Sequence, residues 1–298
     1  MTDRPTPGPL RTLVTGAGGQ LGRELARSLS RLGDVTAHDR AALDVTDADA
    51  LRAAVRAARP DVVVNAAAYT AVDRAEAEPD LAHAINAVAP GVLAEAAAEA
   101  GALLVHYSTD YVFDGTATAP IPESAPTHPL GVYGRTKRDG ERAVEAVGGR
   151  AVVLRTSWVY AAHGHNFLRT MRRLGDERDA LAVVDDQRGT PTSAVWLADA
   201  TADVVTAALR DGLDRPDLVH ATCAGETTWF GFAEAIFERW PPTTPLRLDP
   251  IPTSAYPTPA ARPAYSVLDT GRLGARYGVR PPHWAEALDA LAAAAPGP

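Results

Sequence analysis

Short apolar runs alternate with longer segments of helical period through the first half of the chain. Leu10–Val14, Asp34–His38, Val62–Asn65, Ala102–His106 and Ala151–Arg155 read as strands. Between them, Gln20–Leu32, Ala48–Ala58, Leu81–Ala100 and Tyr133–Val147 read as helices, with a proline-rich loop at Pro120–Pro129. Strands separated by helices of ten or more residues imply parallel pairing through right-handed crossovers. The predicted fold is therefore α/β, a Rossmann-type doubly wound parallel sheet built from residues 10–160, with later segments returning to it. The second half is less regular. Ala194–Leu209 and Thr228–Arg239 look helical, whereas Trp240–Pro263 is too rich in proline for a long helix. Residues 161–298 are read mainly as a smaller C-terminal substrate-binding lobe. Met1–Pro9 is read as a short disordered leader and Ala292–Pro298 as a frayed tail.

The first strand runs directly into Thr15-Gly-Ala-Gly-Gly-Gln-Leu-Gly22, where Gly16, Gly19 and Gly22 have GxxGxxG spacing. Glycines at a strand-to-helix turn let backbone approach a pyrophosphate, and the helix N-terminus offers N–H groups and partial positive charge. The pattern predicts an NAD(P)-binding domain over residues 10–160, with Gln20 and Leu21 beside the loop. Asp39 follows Gly22 by 17 positions (39 − 22), close to the spacing of the residue that binds the adenosine ribose. A carboxylate there suits the free hydroxyls of NADH, and the adjacent Arg40 suits the 2′-phosphate of NADPH, so both remain open. Asp44 and Val45 are candidates to cover the adenine. Ala67, Ala68, Tyr69 and Thr70 follow the third strand, at the sheet edge where ligands bind.

The fourth strand leads into Tyr107-Ser-Thr-Asp-Tyr-Val-Phe-Asp-Gly115, and Tyr133 and Lys137 are four residues apart on the next helix. That spacing puts phenol and ammonium on one face, one turn apart. A lysine beside a tyrosine favours the phenolate, which equips the pair to protonate a carbonyl being reduced. Thr109 is positioned to donate a second hydrogen bond to that oxygen or to Tyr133. Trp158 offers a flat face to a substrate, and Arg262 a guanidinium suited to a diphosphate. Asp185-Asp186 and His163-Gly-His165 lack further ligands at metal spacing and read as loops, so no protein metal site is predicted.

Of 298 residues, 46% are hydrophobic and 22% charged, an ordinary globular balance. A formal net charge of −8 with no basic run argues against nucleic acid as a partner. The lone Cys223 forms no internal disulfide, which suits a reducing cytoplasm. No apolar run reaches the roughly 20 residues needed to cross a bilayer, so no membrane partner is expected.

Taken together, GxxGQLG, NAAAYTAVDRAE, YSTDYVFDG, YGRTK, LRTSWVY, DDQRGTPT and RPAYSVLDT resemble the dTDP-4-dehydrorhamnose reductases, which are extended short-chain dehydrogenase/reductases. The likeness runs from about Leu10 to about Leu291. It implies reduction of the 4-keto group of dTDP-4-dehydro-β-L-rhamnose by NADPH or NADH. Gly19, Gln20, Leu21, Asp39, Arg40, Asp44 and Val45 would contact the cofactor. Ala68, Tyr69, Thr70 and Tyr107 would line its nicotinamide half, with Lys137 on the ribose. Thr109 and Asp110 would touch the sugar, Tyr133 would donate the proton, and Trp158 would stack on the substrate. The resemblance also allows Mg²⁺ at a homodimer interface. Two alternatives stay open: a 4-ketoreductase for another dTDP-deoxysugar in antibiotic biosynthesis, and a noncatalytic NADP-binding regulatory subunit. A 4,6-dehydratase of the same fold would carry glutamate where Tyr111 stands.

Overall fold

The computed structural model describes residues 8–294. Residues 1–7 of the expected leader and 295–298 of the expected tail lie outside them, and the last helix is regular through Ala294. The central sheet comprises β1 (Leu10–Thr15), β2 (Gly33–His38), β3 (Val62–Asn65), β4 (Leu103–Thr109), β5 (Ala151–Thr156) and β6 (Asp217–His220). Every neighbouring pair is parallel, in the order β6-β5-β4-β3-β1-β2. The doubly wound prediction holds. The chain reverses its direction of travel across the sheet between β1 and β3, so the loops leaving those two strands open a crevice at the sheet's C-terminal edge.

Alternate side chains of each strand feed opposite cores, as a sheet covered on both faces requires. Val14, Val62 and Val64 pack with α1 (Gln20–Leu29), while Leu13, Val63 and Val153 pack with α2 (Ala48–Ala58). The second layer also holds α3 (Pro79–Glu99) and α4 (Val132–Val147), through Leu93 and Val144. Further along, α5 (Phe167–Glu177) belongs to the smaller lobe, and α6 (Ala194–Asp211) returns to cover the α1 face. The lobe is completed by α7 (Trp229–Arg239) and α8 (Trp284–Ala294), whose core joins Leu168, Phe232, Ile236 and Leu288. Its floor is a parallel pair, Ala180–Val184 with Arg247–Ile251.

Three departures have local causes. Helix α1 ends at Leu29 rather than Leu32, because Gly33 must start β2 hard against Leu10, where a Cβ would fall 2.2 Å from the Leu10 carbonyl oxygen. Strand β4 runs to Thr109 rather than His106, since Tyr107–Thr109 still pair with Leu154–Thr156. Helix α3 starts earlier and is long and apolar enough, by length and composition, to cross a membrane, contrary to the sequence reading. Here 61% of that window is buried against the rest of the fold. Within it, Pro90 lacks an N–H and would crowd the carbonyl of Asn86. The helix widens into a π turn at Ala84–Val88, and the freed Asn86 carbonyl packs on Gly140, where a Cβ would lie 2.1 Å away.

Candidate active site

The glycine loop is shaped by close approach. At Gly16 (φ 75°) a Cβ would sit 2.5 Å from the Ala67 nitrogen, and at Gly22 it would sit 2.2 Å from the Gly16 carbonyl oxygen. A side chain at Gly16 would push the β1 and β3 loops apart, and one at Gly22 would push α1 away from its own glycine loop. Gly19 begins α1 with no side-chain cap, and no acidic residue occupies the first turn. The orphan N–H groups and the helix dipole thus face the crevice unopposed, which fits a pyrophosphate. Asp39 abuts the loop, a Gly18 Cβ lying 3.4 Å from its own Cβ.

A cavity of about 380 Å³ opens from this loop along the strand ends. Gly19, Gln20 and Leu21 line one end, Ala68, Thr70 and Tyr107 the middle, and Thr109, Asp110, Tyr133, Lys137 and Trp158 the other. The cofactor and catalytic candidates therefore meet in one chamber. Helix α4 is driven against the Asp110–Val112 turn because Gly134 has no side chain; a Cβ would lie 2.1 Å from the Tyr111 carbonyl oxygen. This contact sets the Tyr133 ring edge-on to Tyr111, centroids 5.5 Å apart.

Several candidates are engaged differently from expectation. Thr109 donates to Asp110 Oδ1 (2.9 Å) instead of pointing its proton into the chamber. Lys137 is buried and donates to the Tyr107 carbonyl (2.5 Å), with His106 Nε2 at 3.5 Å. Burial pushes Lys137 down to about 8, and burial likewise pushes the Tyr133 phenol up to about 12. Lys137 does not depress the phenol here, because its ammonium is turned to the backbone of β4. Beneath it, His106 meets Asn65, which in turn accepts from Thr15 (2.7 Å) and from the Ala67 N–H (3.2 Å). Tyr69 does not line the chamber, although Ala68 and Thr70 on either side of it do. Its hydroxyl donates to Glu78 (2.5 Å), while Asn86 pins its N–H and carbonyl. Ala67 is covered by Gly16, and the Tyr107 hydroxyl is bonded to Thr201 (2.6 Å).

At the far end of the crevice, Asp39 Oδ1 accepts from the Ala41 and Ala42 amides (both 3.0 Å), and Asp44 Oδ1 accepts from Thr46. Neither carboxylate points out of its own turn. Asp47 caps α2, its side chain accepting from the Ala50 N–H. Val45 is half-buried against Leu51 and its neighbours, and Arg40 is exposed. Arg262 makes a two-pronged ion pair with Asp73 (3.0 and 2.8 Å) and lines a second cavity rather than the Tyr133 chamber. Trp158 has one face taken by Trp229, its centroid 3.5 Å away and the planes 8° apart. His163 pairs with Glu24 (2.8 Å). Among the described residues, no group of three or more His, Cys, Asp or Glu is placed to hold a metal ion.

Trp229, Asp73 and Glu141 were not foreseen. Glu141 had a signal: Tyr133, Lys137 and Glu141 recur at i, i+4 and i+8 on one face of α4. Trp229 and Asp73 had none, since their partners are remote in sequence.

Asp110 is 1% exposed, and its Oδ2 has no hydrogen-bond partner. Burial raises its carboxyl to about 6 from an ordinary 3.8. An acid whose folded value is raised loses stability as pH climbs from about 4 to about 6, because the unfolded chain ionises first. Asp110→Asn removes that loss. We expect urea unfolding to find the variant about 3 kcal/mol more stable relative to wild type at pH 7 than at pH 4. An equal difference at both pH values would refute the charged, uncompensated carboxylate.

A doubly wound parallel sheet with a glycine loop at its reversal point, and tyrosine and lysine one turn apart beyond the fourth strand, defines the short-chain dehydrogenase/reductase class. The family model described as RmlD substrate binding domain matches residues 10–295. The dTDP-4-dehydrorhamnose reductase of Burkholderia thailandensis is 50% identical over 288 residues, covering 94% of this chain and 97% of its own length. The chain belongs to the dTDP-4-dehydrorhamnose reductase family. The Streptomyces griseus member is 49% identical, covering 95% of this chain and 93% of its own. A crystal structure of the Bacillus anthracis member in complex with NADP is 35% identical, with a TM-score of 0.89 over 95% of this chain and 99% of that one.

Proposed function

We propose that the protein reduces the 4-keto group of dTDP-4-dehydro-β-L-rhamnose with a nicotinamide cofactor, giving dTDP-β-L-rhamnose. The observation that carries this reading is the single chamber joining the uncapped glycine loop to Tyr133, Lys137 and Thr109. Bound along the crevice, NADPH or NADH supplies the hydride for C4. Gly16, Gly19 and Gly22 leave room for the pyrophosphate, and Lys137 lies where the nicotinamide ribose would rest. Because Asp39 spends its carboxylate on Ala41 and Ala42 while Arg40 is exposed, the ribose end takes either cofactor.

Tyr133 donates its proton to the ketone oxygen. Its neutral phenol keeps that proton available at any physiological pH. Lys137 retains most of its charge at pH 7, and with its ammonium held on the Tyr107 carbonyl its part in this reading is to anchor the nicotinamide ribose rather than to lower the phenol. Thr109, with its own proton committed to Asp110, accepts a hydrogen bond from a sugar hydroxyl or from Tyr133. Tyr111 argues against dehydration: it stands where a dehydratase of this fold would carry glutamate, and burial raises its phenol, which makes it a poor substitute for that carboxylate as a base. The nucleoside diphosphate extends toward the second cavity, of about 620 Å³, with Arg262 at its wall. The lone, buried Cys223 suits a reducing cytoplasm as the setting of the reaction.

The test is cofactor oxidation on adding dTDP-4-keto-6-deoxyglucose with a 3,5-epimerase, and NMR identification of the product. Rhamnose stereochemistry at C4 is the expected result. Absence of oxidation would sink the reading in favour of a noncatalytic binding subunit.

A further inference from the structure

Among the described residues, Trp229 alone lines both the Tyr133 chamber and the second cavity. We propose that Trp229 is a specificity-determining residue of the reductase, a fixed partition that holds the keto sugar on one side and the nucleoside on the other. The inference rests on the function proposed above and extends it to how a nucleotide sugar is told apart from a shorter keto sugar.

The partition is built rather than incidental. Trp229 is clamped between Trp158 (centroids 3.5 Å, planes 8° apart) and Phe167 (4.7 Å), and its Nε1 donates to Gln187 Oε1 (3.2 Å). Its helix start is fixed by Thr228, whose hydroxyl accepts from the Gly231 N–H (3.0 Å) and donates to Asp185 (2.6 Å). Trp158 holds a left-handed backbone, φ 45°, unusual for a bulky residue and maintained only where surroundings over-determine it. The surroundings here include Gly189, where a Cβ would lie 2.5 Å from the Trp158 ring. Strain, a required glycine and two aromatic faces thus converge on one wall.

The two spaces it divides differ in the polar groups they present. On the Tyr133 side Thr109, Asp110 and Lys137 supply polar groups in a lining that also includes Leu21, Ala68 and Val159. On the other side Phe167, Met171 and Leu174 offer apolar surface, and Gln187 and Arg262 add polar groups at the margin. That suits a sugar with hydroxyls on one side and a flat base with a charged link on the other. A ligand reaching both must pass the edge of the Trp229 indole, so the wall sets the span between reacting carbon and base. Contacts to the remote nucleoside then help to hold the ketone over the catalytic groups.

Trp229→Ala would merge the two spaces. For the dTDP-linked 4-keto sugar, kcat/KM is expected to fall at least about tenfold, mostly through KM, as for loss of an aromatic binding wall. For the matching 4-keto-sugar 1-phosphate, which has no nucleoside to place, the fall should not exceed about threefold. NADPH affinity, measured by fluorescence titration, reports on the crevice beyond the partition and should hold. Trp229→Phe, which keeps a ring, should recover most of the discrimination, and it supplies the same ratio if the alanine variant does not fold. Equal losses on both substrates, or no loss on either, would overturn the partition. Failure of the wild type to turn over the dTDP sugar would overturn instead the function on which the inference rests.

Discussion

Replacing Tyr133 by Phe is expected to lower kcat by about 10²–10⁴, the range for loss of a positioned general acid. The ring itself does structural service: it packs edge-on against Tyr111 at 5.5 Å and lies beside the short helix Val72–Ala75. Phenylalanine keeps that packing, so cofactor affinity and thermal stability should match the wild type. Only the proton is lost. A hydride arriving at C4 would then leave an alkoxide without its positioned acid, because Thr109 has committed its proton to Asp110 and the Lys137 ammonium is turned to the Tyr107 carbonyl. Single-turnover cofactor oxidation, with cofactor affinity measured separately, checks the prediction. Near-normal turnover would move the proton donor to the Asp110 carboxyl, the remaining buried acid of the chamber.

What could be read from the sequence was whatever depends on short spacing. Gly16, Gly19 and Gly22 act through contacts within a few residues or with the adjacent β3 loop. Tyr133 and Lys137 share a face because a helix repeats every 3.6 residues. Both sets meet where predicted because parallel strands bring their C-terminal ends to one edge. The engagement of polar side chains was less legible, since it depends on which groups compete for them. Asp39 is drawn to amides two and three residues on, and Arg262 to Asp73, 189 positions away. Trp158 and Trp229 meet only through the tertiary packing that sets the first residue of α7 against Trp158. Strand β6 escaped notice as well: Asp217-Leu-Val-His is only four residues long, and it joins the sheet after the long excursion that builds part of the smaller lobe.

The other large effect expected concerns Glu141, one turn past Lys137. Its carboxylate receives Arg155 Nε and Nη2, both at 2.7 Å, and the Ser108 hydroxyl at 2.5 Å. Side-chain exposures of 5% and 7% leave water no part in this pairing. The guanidinium also lies over Phe113, 5.1 Å from the centroid, and reaches His220 at 3.5 Å, so it has no route to solvent. Glu141→Leu would strand that charge, at a cost of about 3–5 kcal/mol in urea unfolding. Adding Arg155→Leu should restore most of the loss, because two apolar side chains replace a buried ion pair at little or no net cost. The pair ties together α4, β4 and β5, the three elements that present Lys137, Thr109 and Thr156 to the chamber. If the double variant were as unstable as Glu141→Leu alone, the stabilisation would lie in the contacts of Arg155 with Phe113 and His220. Recovery of stability by the double variant would instead place it in charge neutralisation between α4 and β5.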